Sequence, residues 1–194
     1  MCETLRHWSL DSKYDVTAYL RVISPETELQ IGSFSVLPFE VPHDASYNVG
    51  FSISGDPGTF SLITDIGQVT ARIRKAVKES NYLIFESNYD TRMLLSGNYP
   101  LQLKERIKGG AGHLSNAETG EVICEEYHDG LRFVGLCHLS GNNNSPEVAL
   151  SNFMSTLKEH GIEAVDGEKE EEYGSFLPVT TIRRNTVSPL FRFG

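Results

Sequence analysis

An α/β fold with a mixed sheet is predicted by three features of the chain. From Val49 onward, apolar runs of strand length alternate with segments of helical period, the order expected of βα units. The runs Leu83-Ile84-Phe85 and Phe133-Val134-Gly135-Leu136 are apolar on both faces, so each expects cover on both. Polar residues of ligand type (His43, Asp65, Glu86, His113 and His138) follow apolar runs directly or open a turn before a helix. The carboxyl ends of strands are where chemistry collects in such folds, because the loops leaving them converge on one crevice.

In order, residues 1–28 carry little pattern beyond a possible short strand at Tyr19–Ile23 and a turn at Pro25-Glu26. Phe34 and Val36, then Phe39 and Val41, alternate on either side of Pro38, which predicts an edge strand with a bulge that ends on His43-Asp44. Val49–Ile53 and Thr59–Ile63 form a predicted hairpin around Gly55-Asp56-Pro57-Gly58 and deliver Asp65. Val69–Glu79 has Val69, Ile73, Ala76 and Val77 on one helical face. Tyr82–Phe85 is a buried strand that stops at Glu86-Ser87-Asn88, and Pro100–Lys108 is a short helix closed by Gly109-Gly110. Ser115 and Glu118 have capping-box spacing for a helix running to about Tyr127. Leu131–Cys137 is a strand with His138 at its end. Ser145 as N-cap and Pro146 at the first helical position start a helix that buries Leu150, Phe153 and Leu157 and stops at Gly161. Residues 166–175 make an acidic solvated loop, and Phe176–Arg183 is the last strand. The 194 residues suit a single domain with a real core.

The apolar fraction of 39% and charged fraction of 22% are those of a globular protein, and no apolar run is long enough to span a membrane. The N-terminus lacks the apolar stretch of a secretory signal. Cys2, Cys124 and Cys137 are odd in number and widely spaced, which gives neither a disulfide framework nor a metal pair and points to a reducing cytoplasm. A net charge of −9 excludes nucleic-acid binding by bulk electrostatics alone, although bound cations would invert the field locally. The basic stretches Arg72–Lys75 with Lys78, and Lys104–Lys108, read as solvated helix faces.

A histidine at one strand end is more often a hydrogen-bonded structural residue than a ligand, and an aspartate there is more often a cap. Five such positions in order carry more weight. Imidazole nitrogens and carboxylates are what zinc accepts, and a carboxylate between two metals holds them close enough to share a nucleophilic water.

The local motifs resemble those of the metallo-β-lactamase superfamily, within it the YycJ-type (WalJ-type) branch related to nucleases. The matching stretches are Val41-Pro42-His43-Asp44-Ala45 with Val49-Gly50-Phe51, Thr64-Asp65-Ile66-Gly67, and Glu86-Ser87-Asn88-Tyr89-Asp90. They continue with Gly97-Asn98-Tyr99-Pro100 and Leu103-Lys104, Gly112-His113-Leu114-Ser115-Asn116, and Cys137-His138-Leu139-Ser140 with Asn142-Asn143-Asn144. The ending Thr181-Ile182-Arg183-Arg184 to Leu190-Phe191 is similar too, so the resemblance covers about Ile31 to Phe193.

The resemblance implies the C-terminal portion of a four-layer αββα sandwich with a dinuclear zinc or manganese centre and a nucleic-acid substrate. It places His43 on the first metal, Asp65 as the bridging carboxylate and His138 on the second metal. It places His113 near the leaving group as a proton donor or phosphate contact, oriented by Glu86. The family's most diagnostic signature, His-x-His-x-Asp-His, should lie upstream of His43, and the chain has nothing of the kind. The expectation is therefore an N-terminally truncated copy whose own phosphodiesterase activity is impaired and whose metal is held weakly. It would be completed by an N-terminal half or by self-association. The other readings are a non-catalytic degenerate copy that binds a partner, and a metallo-hydrolase of small esters or lactones.

Overall fold

The computed structural model describes residues 21–45, 47–169 and 173–191. Among them one mixed sheet has eight strands: β1 (Leu29–Ile31), β2 (Phe34–Glu40), β3 (Val49–Gly55), β4 (Gly58–Ile63), β5 (Tyr82–Glu86), β6 (Phe133–Cys137), β7 (Ala164–Asp166) and β8 (Leu177–Thr181). Their spatial order is β1-β2-β3-β4-β5-β6-β8-β7. The first four pair antiparallel as a meander, and the rest pair parallel. Helices α1 (Ala71–Lys78), α2 (Thr91–Ser96), α3 (Leu101–Lys108), α4 (Asn116–Glu125) and α5 (Pro146–Glu159) fill the connections.

The α/β class and mixed sheet are as predicted, and so are the hairpin and both helix caps. Ser115 and Glu118 make the reciprocal capping box of α4, and Ser145 caps α5 with Pro146 at its first position. Three short elements escaped the sequence pattern: β1, β7 and α2, the last started by the Asp90 side chain accepting from Met93 N. Arg21–Ile23 is not a strand, and Tyr19 and Leu20 lie outside the described residues.

The expected bulge at Pro38 is absent. The β2–β3 register runs unbroken from Ser35↔Ser54 to Glu40↔Val49, and β1 lies outside β2. The change in apolar parity that suggested a bulge arises because β2 carries apolar residues on both faces, Phe34 and Val36 on one and Phe39 on the other. Pro38 lies beyond the reach of β1, which pairs only with Phe34–Val36, so its missing N–H forfeits no bond on that side.

One face of the sheet carries the core. Phe39, Ile63, Leu83, Phe85, Val134, Leu136 and Val179 pack there against Ile73 and Val77 of α1, Ile123 of α4, and Phe153 and Leu157 of α5. The opposite face is apolar but thinly covered. The register aligns Phe51, Leu62, Ile84 and Gly135 in one row. Leu62 is 37% exposed, and Phe51, Ile53, Phe60 and Ile84 are half-buried. Phe133 on the same face is covered by Phe191, with ring centroids 4.9 Å apart.

The basic stretches are solvated faces, as expected, and most of their cations are paired. Arg72 meets Glu26, Arg74 meets Glu125 and Glu126, Lys75 meets Glu79, and Arg106 meets Asp44.

Candidate active site

Three parallel strands end on one side of the sheet, and their last residues and following turns bring the ligand-type side chains together. Asp65 follows β4 and His138 follows β6, both with left-handed backbone (φ +58° and +56°). A residue with a Cβ pays about 1–2 kcal/mol for that conformation, and such outliers cluster where a side chain must be aimed. The Asp65 turn is clamped by Asn48 Nδ2, which donates to Asp65 O at 2.8 Å and Thr64 O at 3.3 Å. Gly67 is required two residues on, because a Cβ there would lie 2.5 Å from Ala111 Cα in the loop leading to His113. The His138 turn is held by Asn88, whose Nδ2 donates to His138 O at 2.7 Å.

Glu86 closes β5 and is fully buried. Its Oε1 lies 2.9 Å from His113 Nδ1 and 2.6 Å from His138 Nδ1. Its Oε2 accepts from Ile66 N at 2.8 Å and Leu114 N at 3.3 Å. Burial alone would push this carboxyl up. The hydrogen bonds from both histidines and the Ile66 amide outweigh it, and the pKa sits below the ordinary value. The partner effect appears at His138, whose pKa is raised by its bond to Glu86 against the opposing effect of burial.

His43 reaches the same point from the loop after β2, its Nε2 3.2 Å from Asp65 Oδ1. The His113 ring stands edge-on between its neighbours, with centroids 4.9 Å from His43 and 5.0 Å from His138. All five residues singled out in the sequence therefore converge. Ligand atoms of Asp65, Glu86, His113 and His138 lie within 4.8 Å of one another, and His43 joins them through Asp65.

The donor set fits a borderline-soft divalent ion: imidazoles with a carboxylate, each directed by a neighbour. Glu86 plays the supporting part, since both of its oxygens are occupied. A ligating histidine characteristically donates its other N–H to a carboxylate, the relation between His138 and Glu86. Beneath the site a buried network that the sequence pattern did not disclose joins Ser87, Asn116 and Asn144, with Asn144 Nδ2 donating to Ser87 O and Asn88 O. Thr119 Oγ1 also donates to Glu86 O at 2.6 Å. The hints of this network were the stretches Glu86-Ser87-Asn88, Ser115-Asn116 and Asn142-Asn143-Asn144, whose mutual contacts no local pattern shows.

Beside the histidines opens a cleft of about 530 Å³, lined by His113, His138, Asn88, Tyr99, Asn142 and Arg184 among others. A pocket of about 600 Å³ at the other ends of the strands, among Tyr82, Tyr127 and Phe176, adjoins no such donor cluster among the described residues.

No family model matches the chain. It is 34% identical over 130 residues to exodeoxyribonuclease YycJ of Bacillus anthracis, an alignment covering 67% of this chain and 49% of the relative. The chain thus spans about half the length of the curated relatives it matches. Among solved structures, the metallo-β-lactamase fold protein YhfI of Bacillus subtilis superposes with a TM-score of 0.54 at 14% identity, over 82% of this chain and 50% of that one. Zinc-bound PqqB of Methylobacterium extorquens gives 0.53 at 18% identity, over 73% and 51%. At these identities the structural likeness speaks for the fold alone. Among the described residues no helix is long and apolar enough to cross a membrane.

Proposed function

Because the chain is a metallo-β-lactamase-fold protein of the YycJ type, we propose that it contributes one wall of a metal-dependent phosphodiesterase site acting on nucleic acid. The convergence of His43, Asp65, Glu86, His113 and His138 on the side of the sheet where β4, β5 and β6 end is the observation that carries this reading. His43, Asp65 and His138 would hold zinc or manganese, with Asp65 between the positions served by the two imidazoles. The metals, when bound, supply Lewis acidity and a nucleophilic water at neutral pH.

The remaining chemistry belongs to the chain's own side chains. Glu86 fixes the Nδ1 side of both His113 and His138, which turns each Nε2 away from the carboxylate. His113 then delivers a proton from Nε2 to the leaving oxygen, and the Glu86 carboxylate stabilises the charged ring from which that proton departs. That the Bacillus anthracis relative is named an exodeoxyribonuclease supports a phosphodiester substrate over a small ester or lactone.

Three ligands do not complete two coordination shells. The half-covered sheet face with Phe51, Leu62 and Ile84 is the surface on which a complementing half would dock. The test joins the chain to an N-terminal half bearing His-x-His-x-Asp-His. The joined protein should hydrolyse bis(p-nitrophenyl) phosphate and DNA in a chelator-sensitive manner, and Asp65→Ala should abolish this. Failure of the joined protein to bind two metals, or equal activity in the Asp65→Ala form, contradicts the reading.

A further inference from the structure

Among the described residues, the cleft beside the histidines holds one cation without a partner. Arg183 and Arg184 are adjacent and both line it. Arg183 spends its guanidinium on Glu168, 2.7 Å away. Arg184 makes no ion pair or hydrogen bond among the described residues. Its Nη1 lies against Gly141, where a Cβ would come within 3.0 Å of it, so the absence of a side chain at 141 makes room for the guanidinium. It lines the same cleft as His113 and His138.

Arg72, Arg74 and Arg106 are all paired with carboxylates, and Lys104 Nζ is bonded to Leu95 O and Gly97 O at 2.7 Å. In a chain of net charge −9, a guanidinium with no partner among the described residues, beside a cluster of histidines, is placed to attract an anion. Tyr99 and Asn142 also line the cleft, and Asn142 Nδ2 donates to Tyr99 Oη at 2.7 Å, which holds the phenol ring in place.

We propose that Arg184 binds a backbone phosphate adjacent to the scissile phosphodiester of a single nucleic-acid strand, with the flanking base received by the Tyr99–Asn142 wall. This rests on the phosphodiesterase reading of the same site and names how the strand is held. A planar guanidinium takes two phosphate oxygens at once, and aromatic rings stack bases without sequence preference. A cleft of about 530 Å³ takes a small-molecule-sized piece of substrate, the size of a nucleotide with its phosphate.

The experiment measures binding of a fluorescein-labelled oligothymidylate to the full chain in chelator, where no hydrolysis can occur, by anisotropy across a salt series. Arg184→Ala should weaken binding about tenfold and lower the magnitude of the salt slope by about one, because one phosphate contact is lost. Arg183→Ala should change neither by a comparable amount. Tyr99→Ala should weaken binding with the slope unchanged. An oligonucleotide with uncharged methylphosphonate linkages should bind wild type and Arg184→Ala alike. Absence of binding by the wild-type chain, equal losses in the two arginine variants, or wild-type affinity in Arg184→Ala overturns the inference, and wild-type affinity in Tyr99→Ala overturns the base-receiving wall. The catalytic reading fails separately: if binding depends on Arg184 while the joined protein never hydrolyses phosphodiesters, the subsite stands and the reaction does not.

Discussion

His138 Nδ1 lies 2.6 Å from Glu86 Oε1, a buried carboxylate that holds His113 by the same oxygen. One side chain at the end of β5 therefore sets the orientation of rings delivered by two distant parts of the chain. Glu86→Ala should be among the most destabilising substitutions in the molecule. It strands the Ile66 and Leu114 amides and breaks a buried charged network, at a cost of about 3–5 kcal/mol. Urea unfolding of the metal-free chain checks this. A loss under 1 kcal/mol would mean that the rings are placed by packing alone.

His113→Ala separates proton transfer from metal binding. In the joined protein it should lower turnover by about 10²–10⁴-fold with little change in metal content, measured by elemental analysis of the dialysed protein. Loss of metal in proportion to activity would instead make His113 a ligand.

Leu62 tests the exposed sheet face. Leu62→Glu should reduce binding of a hydrophobic dye to the isolated chain and lower its stability by about 1 kcal/mol, less than the roughly 2–5 kcal/mol typical of a core leucine, because over a third of the residue stays in contact with water. The same variant should fail to combine with an N-terminal half. A large loss of stability would show that the face is already covered.

Cys124 reports on how α4 packs. Burial first, then the charges of Glu121 and Glu125, push its thiol up to about 11. A thiol whose pKa is raised by folding stabilises the fold below its unfolded value, and that contribution is lost as pH rises through about 11. At pH 8 its alkylation by iodoacetamide, followed peptide by peptide, should be about a hundredfold slower in the folded chain than in urea. Equal rates would mean that the helix is open at that turn.

The sequence disclosed those features whose cause is local. Ser115 with Glu118, and Ser145 with Pro146, announce helix starts because the capping partners are three residues apart or adjacent. His43, Asp65, Glu86 and His138 were legible because each follows an apolar run, and His113 because it opens the turn before a helix; the parallel strands β4, β5 and β6 put their ends on one side. The bulge at Pro38 was misread because β2 is apolar on both faces, which imitates a change of parity. β1, β7 and α2 are too short to show a period. The pairing of Arg183 with Glu168 depends on where β7 and β8 meet, and nothing within a few residues of the arginine signals it.

The most direct test of the metal centre is a cobalt titration of the chain followed by its visible absorption. Wild type should show saturable but weak binding, with a band that is lost in His43→Ala, Asp65→Ala and His138→Ala and kept in His113→Ala. A spectrum that survives Asp65→Ala unchanged, or one that depends on His113 and not on His43, would contradict the assignment.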